Sequence, residues 1–159
     1  MGFTAIVIAD RSWGIGKDGN QLIYLPPDLK RFKRLTTART IIYGRKTLAT
    51  FPHGEPLPGR RNMILSTTLK SVEGAEVYHS VPELLEAAPS TAFVIGGESV
   101  YKALFPYTDT VFATKVGVTL PADKRFANLA RRKDWKIHEM SKTLEYDGLP
   151  FQYITYRRV

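Results

Sequence analysis

Short apolar runs alternate with amphipathic stretches along most of the chain, and the period shifts between strand-like and helix-like from one to the next. Phe3–Ala9 (Phe-Thr-Ala-Ile-Val-Ile-Ala) predicts a buried strand, and a glycine-rich loop follows it to about Tyr24. Pro26–Thr36 predicts a helix whose prolines lie only in the first turn, where a missing N–H does no harm. Residues 40–43 predict a strand, 46–50 a short helix, 62–65 another strand and Glu76–Tyr78 a short β segment. Ser80-Val81-Pro82-Glu83 is a capping box that opens a helix running to Ala88. Residues 92–95 predict a strand, Gly96-Gly97 a tight turn and 98–105 a helix. From Thr110 onward only strands are predicted, over 110–116, 135–141 and 151–157.

Strand–helix alternation implies right-handed parallel crossovers. The expected fold class is α/β, a single, mainly parallel twisted sheet with helices on both faces. The strand-only tail adds an antiparallel C-terminal hairpin at the edge. Ligands of such sheets bind beyond the carboxyl ends of the strands, where Gly44, Gly96 and Gly97 follow predicted strands.

A chain of 159 residues with 43% hydrophobic content is expected to form one domain, residues 1–159, with a sizeable core. No apolar run approaches bilayer length, and Met1-Gly2-Phe3-Thr4 lacks a basic region ahead of its apolar stretch. The expectation is a cytoplasmic, monomeric protein with no membrane partner. The absence of cysteine excludes disulfides and thiolate metal sites. His53, His79 and His138 have no ligand-like spacing, so no metal is expected. The net charge of +8, from 23 basic and 15 acidic residues, concentrates in residues 30–46 and 124–136. That excess suits anionic partners from nucleic acid to a phosphorylated cofactor, and a solvated basic face accounts for it equally well. A nucleic-acid module would interleave exposed aromatics or carry a recognition helix; neither pattern is present, and no nucleic-acid partner is expected.

Asp28 is the most informative residue, the only acid between Asp18 and Glu55. At about 100° per residue, Asp28, Phe32 and Leu35 share one face of the predicted helix, with Leu29 at its edge. No lysine or arginine shares that apolar face, although Arg31 borders it. A buried carboxylate needs donors, and a ligand is a candidate source.

Gly14-Ile15-Gly16-Lys17-Asp18-Gly19 matches G-x-G-x-x-G literally, but no helix begins inside it, so the dinucleotide fingerprint fails on context. It reads as a loop that can close over a ligand. Ile95-Gly96-Gly97-Glu98-Ser99-Val100-Tyr101 has the right context, an apolar strand, two glycines and a helix. Ile41-Ile42-Tyr43-Gly44-Arg45-Lys46-Thr47 repeats it, with two cations at a helix start, where the helix dipole disfavours them. A phosphate would remove that conflict. Two such junctions suggest a dinucleotide with an extra phosphate, NADPH over NADH; tight turns and exposed cations are the plainer alternative. In Leu57-Pro58-Gly59-Arg60-Arg61-Asn62, Arg60 can grip a carboxylate with its fork or stand as a surface arginine.

In this order, these segments resemble the chromosomal type of dihydrofolate reductase over essentially the whole chain. The resemblance implies NADPH-dependent reduction of 7,8-dihydrofolate, with hydride transfer to C6 and protonation of N5. It implies that Asp28 pairs with the 2-amino group and N3 of the pterin, buttressed by Thr114. Ile6, Leu29, Phe32 and Phe51 would pack on the substrate, and Arg60 would bind the α-carboxylate of its glutamate. Gly16, Gly44, Arg45, Lys46, Thr47, Ser66, Thr67, Ile95, Gly96, Gly97, Glu98, Ser99, Val100 and Tyr101 match positions on the cofactor. The resemblance also implies a cis peptide between Gly96 and Gly97. One departure stands out: the family usually has a tryptophan before the helix, where this chain has Ile23. A pyrimidine reductase of riboflavin biosynthesis shares the fold and NADPH but usually lacks an acid at the position of Asp28.

Overall fold

The computed structural model describes residues 2–159. In chain order the elements are β1 (Phe3–Ala9), β2 (Gly14–Lys17), β3 (Asn20–Gln21), α1 (Pro26–Thr36), β4 (Thr40–Gly44), α2 (Arg45–Leu48), β5 (Arg61–Leu65) and β6 (Glu76–Tyr78). They continue with α3 (Val81–Ala87), β7 (Phe93–Gly96), α4 (Glu98–Leu104), β8 (Thr108–Val116), β9 (Lys124–Arg125), β10 (Trp135–Met140), β11 (Leu144–Tyr146) and β12 (Leu149–Arg158). The main sheet runs β10-β12-β8-β1-β7-β4-β5-β6, with β11 paired to β12. From β8 to β6 every pairing is parallel, and β12 is antiparallel to β8, β10 and β11. This is the expected mixed α/β fold with an antiparallel C-terminal edge.

The period of two in β1 explains how the sheet divides its cores. Phe3, Ala5, Val7 and Ala9 face a cluster completed by Leu84 of α3 and by Val100, Tyr101 and Leu104 of α4. Ile6 faces the other way, joining Ile41, Tyr43, Ile64 and Phe93, and α1 and α2 cover that side with Phe32, Leu35 and Leu48. A third cluster of Ile23, Leu25, Val116 and Phe151 anchors the chain just before α1 against β8 and β12. The helix start is therefore held in place by apolar contacts, because its N-cap Leu25 offers no side-chain cap.

The glycine-rich segment is more ordered than a loop. β2 pairs with β3 and with β9 in a separate three-stranded sheet. Strands of four, two and two residues are too short for a legible apolar period. Asp10, fully buried, ties this sheet down: its Oδ1 accepts from the N–H of Ser12 and of Gly14, both at 2.8 Å, and its Oδ2 from that of Leu120 at 2.8 Å. Gly14 is needed there for space, since a Cβ would lie 2.6 Å from Cβ of Ala122. Beyond the turn, Asp123 accepts from the N–H of Asp18 at 2.9 Å.

Burial pushes the Asp10 carboxyl up, but its backbone donors and Arg125 outweigh it and hold the group below its ordinary value of 3.8. Its stabilising contribution is therefore complete above the unfolded pKa and is lost as pH falls through the folded one. Asp10→Ala strands three N–H groups and should lower the unfolding free energy at neutral pH by about 2–4 kcal/mol. Denaturant titration checks this, and the difference from wild type should shrink under acid.

Candidate active site

A cleft of about 1660 Å³ opens at the carboxyl ends of the parallel strands, between α1, the β2–β3 hairpin and the starts of α2 and α4. Asp28, in the first turn of α1, looks into it. Behind Asp28, buried Thr114 of β8 donates its hydroxyl to Oδ1 at 2.5 Å. Burial raises the Asp28 pKa above the usual carboxylate value; the Thr114 hydroxyl and the charge of Arg31 oppose the shift without cancelling it.

Arg31 is a finding that helical projection alone does not give. Its guanidinium folds over Tyr153, 4.3 Å from the ring centroid, and reaches 5.9 Å from that of Phe112. It makes no ion pair with Asp28, but from this half-buried position its charge acts on the carboxylate. The second oxygen of Asp28 has no protein hydrogen-bond donor among the described residues, so the carboxylate keeps accepting capacity for the cleft.

Apolar walls surround this acid. Ile6 comes from β1, Leu29 and Phe32 from α1, and Phe51 from the segment after α2, its ring set edge-on to Tyr43 at 5.0 Å. Leu29 is 44% exposed, an apolar side chain facing open cleft. Arg60 lines the same end. Its Nε donates to the Pro58 carbonyl at 2.9 Å and its Nη1 to the Thr36 hydroxyl at 3.2 Å, which leaves the rest of its fork for a ligand. Asn62 braces that turn, giving its amide to the carbonyls of Leu57 and Arg60 and accepting from the Leu57 N–H and the Tyr43 hydroxyl. In the sequence this supporting role has a single signal, a polar residue in the otherwise apolar run Asn62-Met63-Ile64-Leu65.

The two strand–glycine–helix junctions meet at the other end of the cleft. Gly44 abuts Val100, where a Cβ would approach Cγ2 to 3.0 Å, and a Cβ on Gly96 would lie 3.1 Å from the Thr47 hydroxyl. Gly96 has φ +145, and the Gly96–Gly97 peptide is cis, as the resemblance implies. Neither α2 nor α4 has a side-chain cap, whereas α3, whose start lies off the cleft, is capped by Ser80. Arg45 and Lys46 lie at the start of α2, Arg45 exposed, and Ser66 and Thr67 follow β5 into the same space. The uncapped N–H groups and the adjacent cations together fit a phosphorylated ligand. Tyr101 is fixed by donating to the Ile6 carbonyl at 2.6 Å, and burial raises its pKa, with the charge of Asp28 adding to the shift. Glu98 is partly engaged, accepting from the N–H of Arg125 at 2.7 Å and so joining α4 to the small sheet.

Every residue expected in the site lines this cleft except Thr114, which stands behind Asp28. The dihydrofolate reductase family model matches residues 2–158. The chain belongs to the dihydrofolate reductase family. The dihydrofolate reductase of Bacillus subtilis strain 168 is 34% identical over 142 residues, 87% of this chain and 83% of that protein. That of Mycobacterium leprae is 44% identical over 110 residues, 66% of this chain and 63% of that one. Among solved structures, a dihydrofolate reductase from Enterococcus faecalis complexed with NADP(H) and RAB-propyl superimposes with a TM-score of 0.83 at 29% identity, covering 99% of this chain and 96% of that chain.

Within this family fold, further cleft residues come from the hairpin region and β9: Gln21, Tyr24 and Lys124. Ile23 occupies the place where the family resemblance leads one to expect a tryptophan. It is 5% exposed and packs with Leu25, Val116 and Phe151. Tyr24 beside it is 78% exposed. Trp13 does not substitute for the missing indole, because it is buried in the core against Phe126 and Tyr156. Among the described residues no cluster of potential metal ligands occurs, and no helix is long and apolar enough to cross a membrane.

Because its folded pKa is raised, Asp28 weakens the fold progressively as pH climbs from the unfolded pKa through the folded one. Asp28→Asn should therefore unfold at a higher temperature than wild type at neutral pH. The gap should close at acid pH, where the wild-type carboxyl is protonated in both states; thermal melts across pH test it.

Proposed function

We propose that this chain is a working dihydrofolate reductase, reducing 7,8-dihydrofolate to 5,6,7,8-tetrahydrofolate for one-carbon metabolism, with NADPH supplying the hydride to C6. The observation that carries this reading is a carboxylate in an apolar cleft, braced by one hydroxyl and open on its other oxygen, next to two uncapped helix starts. We take residues 1–159 as one catalytic domain acting as a cytosolic monomer.

In this reading Asp28 receives the pterin's 2-amino group and N3–H on its two oxygens, and Thr114 fixes the rotation of the carboxylate. Ile6, Leu29, Phe32 and Phe51 exclude water around the ring and the benzoyl group. Arg60 clamps the glutamate α-carboxylate, with Asn62 holding its turn. Arg45, Lys46, Thr47, Ser66 and Thr67 hold the adenosine phosphates, while Gly16, Gly44 and residues 95–101 shape the nicotinamide and pyrophosphate site. Asp28 orients and polarises the ring, and the proton for N5 comes through water. Ile23 has no donor to hold that water and Tyr24 extends into solvent, so we assign the task to Asp28 and the backbone. The riboflavin-pathway pyrimidine reductase reading is not favoured, because it leaves Asp28 and Arg60, both lining the cleft, without a purpose.

Purified protein should oxidise NADPH when dihydrofolate is added and not with the pyrimidine substrate. Asp28→Asn should lose about a hundredfold or more of the rate at neutral pH while still binding NADPH. Wild-type turnover, measured where chemistry limits, should fall as pH rises and protonated substrate becomes scarce; a flat profile would contradict this mechanism.

Arg45→Ala should raise KM for NADPH by roughly tenfold, the worth of one charged phosphate contact. KM for dihydrofolate should stay within about twofold. Steady-state kinetics with each substrate varied in turn gives both values.

A further inference from the structure

Among the lysines and arginines that line the cleft, Lys124 alone comes from the small sheet. The others are Arg45 and Lys46 at the start of α2, and Lys33 and Arg60 beside the end of α1. The backbone of Lys124 is fixed from both sides. On one side Lys124 pairs with Gly16 of β2, and the N–H of Asp123 donates to the Gly16 carbonyl at 2.9 Å. On the other, the N–H of Arg125 donates to Oε2 of Glu98, the first residue of α4, at 2.7 Å. Successive strand residues point to opposite faces. Arg125 uses its guanidinium on the Ser12 carbonyl at 3.0 Å, and Lys124 takes the cleft face. Gly16 keeps that face open. A Cβ there would lie 3.3 Å from Cβ of Lys124 and 3.4 Å from its Cγ, so the lysine stem lies across the bare glycine. Lys124 is exposed and enters no ion pair among the described residues. The nearby acids have partners of their own: Asp123 accepts from the N–H of Asp18 at 2.9 Å, and Glu98 lies 3.7 Å from Lys102.

We propose that Lys124 binds the pyrophosphate of the dinucleotide, reaching it across Gly16 from the small sheet. The inference rests on the proposed function, which puts Gly16 and residues 95–101 around the nicotinamide and pyrophosphate. A phosphorylated dinucleotide carries two anionic groups, the 2′-phosphate and the pyrophosphate. The 2′-phosphate belongs to the adenosine end, where Arg45 and Lys46 lie. The group left for a cation beside Gly16 and Glu98 is the pyrophosphate. Glu98 lines the same wall, and its charge opposes an anion there; Lys124 offsets it. A lysine suits the role, because its ammonium is a point charge on a flexible stem and the pyrophosphate spreads its charge over several oxygens. Since Lys124 is held to Gly16, the same contact ties the small sheet to the bound cofactor.

The test measures the affinities of NADPH and NADH by calorimetry, since both carry the pyrophosphate and only NADPH the 2′-phosphate. Lys124→Gln should raise both dissociation constants by the same factor, roughly three- to tenfold at low salt. The loss should shrink toward none in about 0.5 M salt. Lys124→Arg, which keeps the charge, should keep most of the affinity. Folate affinity and the melting temperature of the ligand-free protein should not change in Lys124→Gln. Lys136→Gln, on the edge strand β10, removes the same kind of charge elsewhere and should leave both dinucleotides bound as in wild type. Unchanged dinucleotide affinity in Lys124→Gln overturns the proposal. So does a loss confined to NADPH, which would put the charge on the 2′-phosphate, or an equal loss of folate affinity, which would mark a general disturbance of the cleft. Wild type that binds both dinucleotides without turnover would count against the proposed function and leave the lysine contact standing. Wild type that binds neither overturns both.

Discussion

A carboxylate half-sunk in an apolar cleft is the constraint around which this molecule is arranged. Asp28 cannot be held there by α1 alone, because its own helix face is apolar and the helix has no side-chain cap. The donor comes from Thr114, a residue 86 positions away on β8, and the moderating charge from Arg31, stacked on Tyr153 of β12. The Asp28 environment therefore requires α1, β8 and β12 in their native register. The apolar anchors Ile23 and Leu25, packed on Val116 and Phe151, set that register from the other side of the helix start.

The contrast with Asp10 shows how environment divides labour between two residues of one type. Asp10 receives three backbone N–H groups, its pKa is lowered, and it holds the small sheet against the segment around Leu120. Asp28 receives one hydroxyl, its pKa is raised, and one oxygen faces open cleft. A saturated carboxylate is structural; an undersatisfied one in a cavity has capacity for a ligand. The two are linked mechanically, since Asp10 pins the hairpin whose Gly16 and Gln21, with Tyr24 just beyond, form the cleft wall.

Most of the architecture is legible in the sequence because the long elements carry clear periods. Phe3–Ala9 and Pro26–Thr36 match their predicted bounds, and Ser80 caps its helix by accepting from the N–H of Glu83 at 3.3 Å, one of the two bonds of the expected capping box. The short helix predicted at 46–50 spans Arg45–Leu48, a shift of one turn or less in an element too brief to have a pattern. The small sheet and β11 escape prediction for the same reason, as their two to four residues carry no legible period. The strand–glycine–helix junctions are readable, because the glycines admit close packing against Val100 and Thr47 and the cations at a helix start mark a local electrostatic cost. Arg31 and Asn62 are not, because their roles depend on partners from other elements. The literal G-x-G-x-x-G forms β2 and the turn into β3, with no helix, in keeping with its failure on context.

Formal charge alone cannot say which basic cluster matters, and the structure separates them. In residues 124–136, Arg132 forms a two-point pair with Asp134, each contact at 3.0 Å, and lies over Phe105. Arg158 joins them, set against Trp135 and Phe105 while donating to the carbonyls of Phe105 and Thr108. Of the six cations in that cluster, Arg132 alone enters an ion pair among the described residues, and all six are exposed. Residues 30–46 differ in where most of their cations sit. Among the described residues, Lys30, Lys33, Arg34, Arg45 and Lys46 have no acidic partner, and they border the cleft or a depression beside it. Uncompensated cations repel one another, although Lys33 and Arg34 complement the dipole in the last turn of α1. Their concentration around one opening makes physical sense when anionic ligands supply the missing charge.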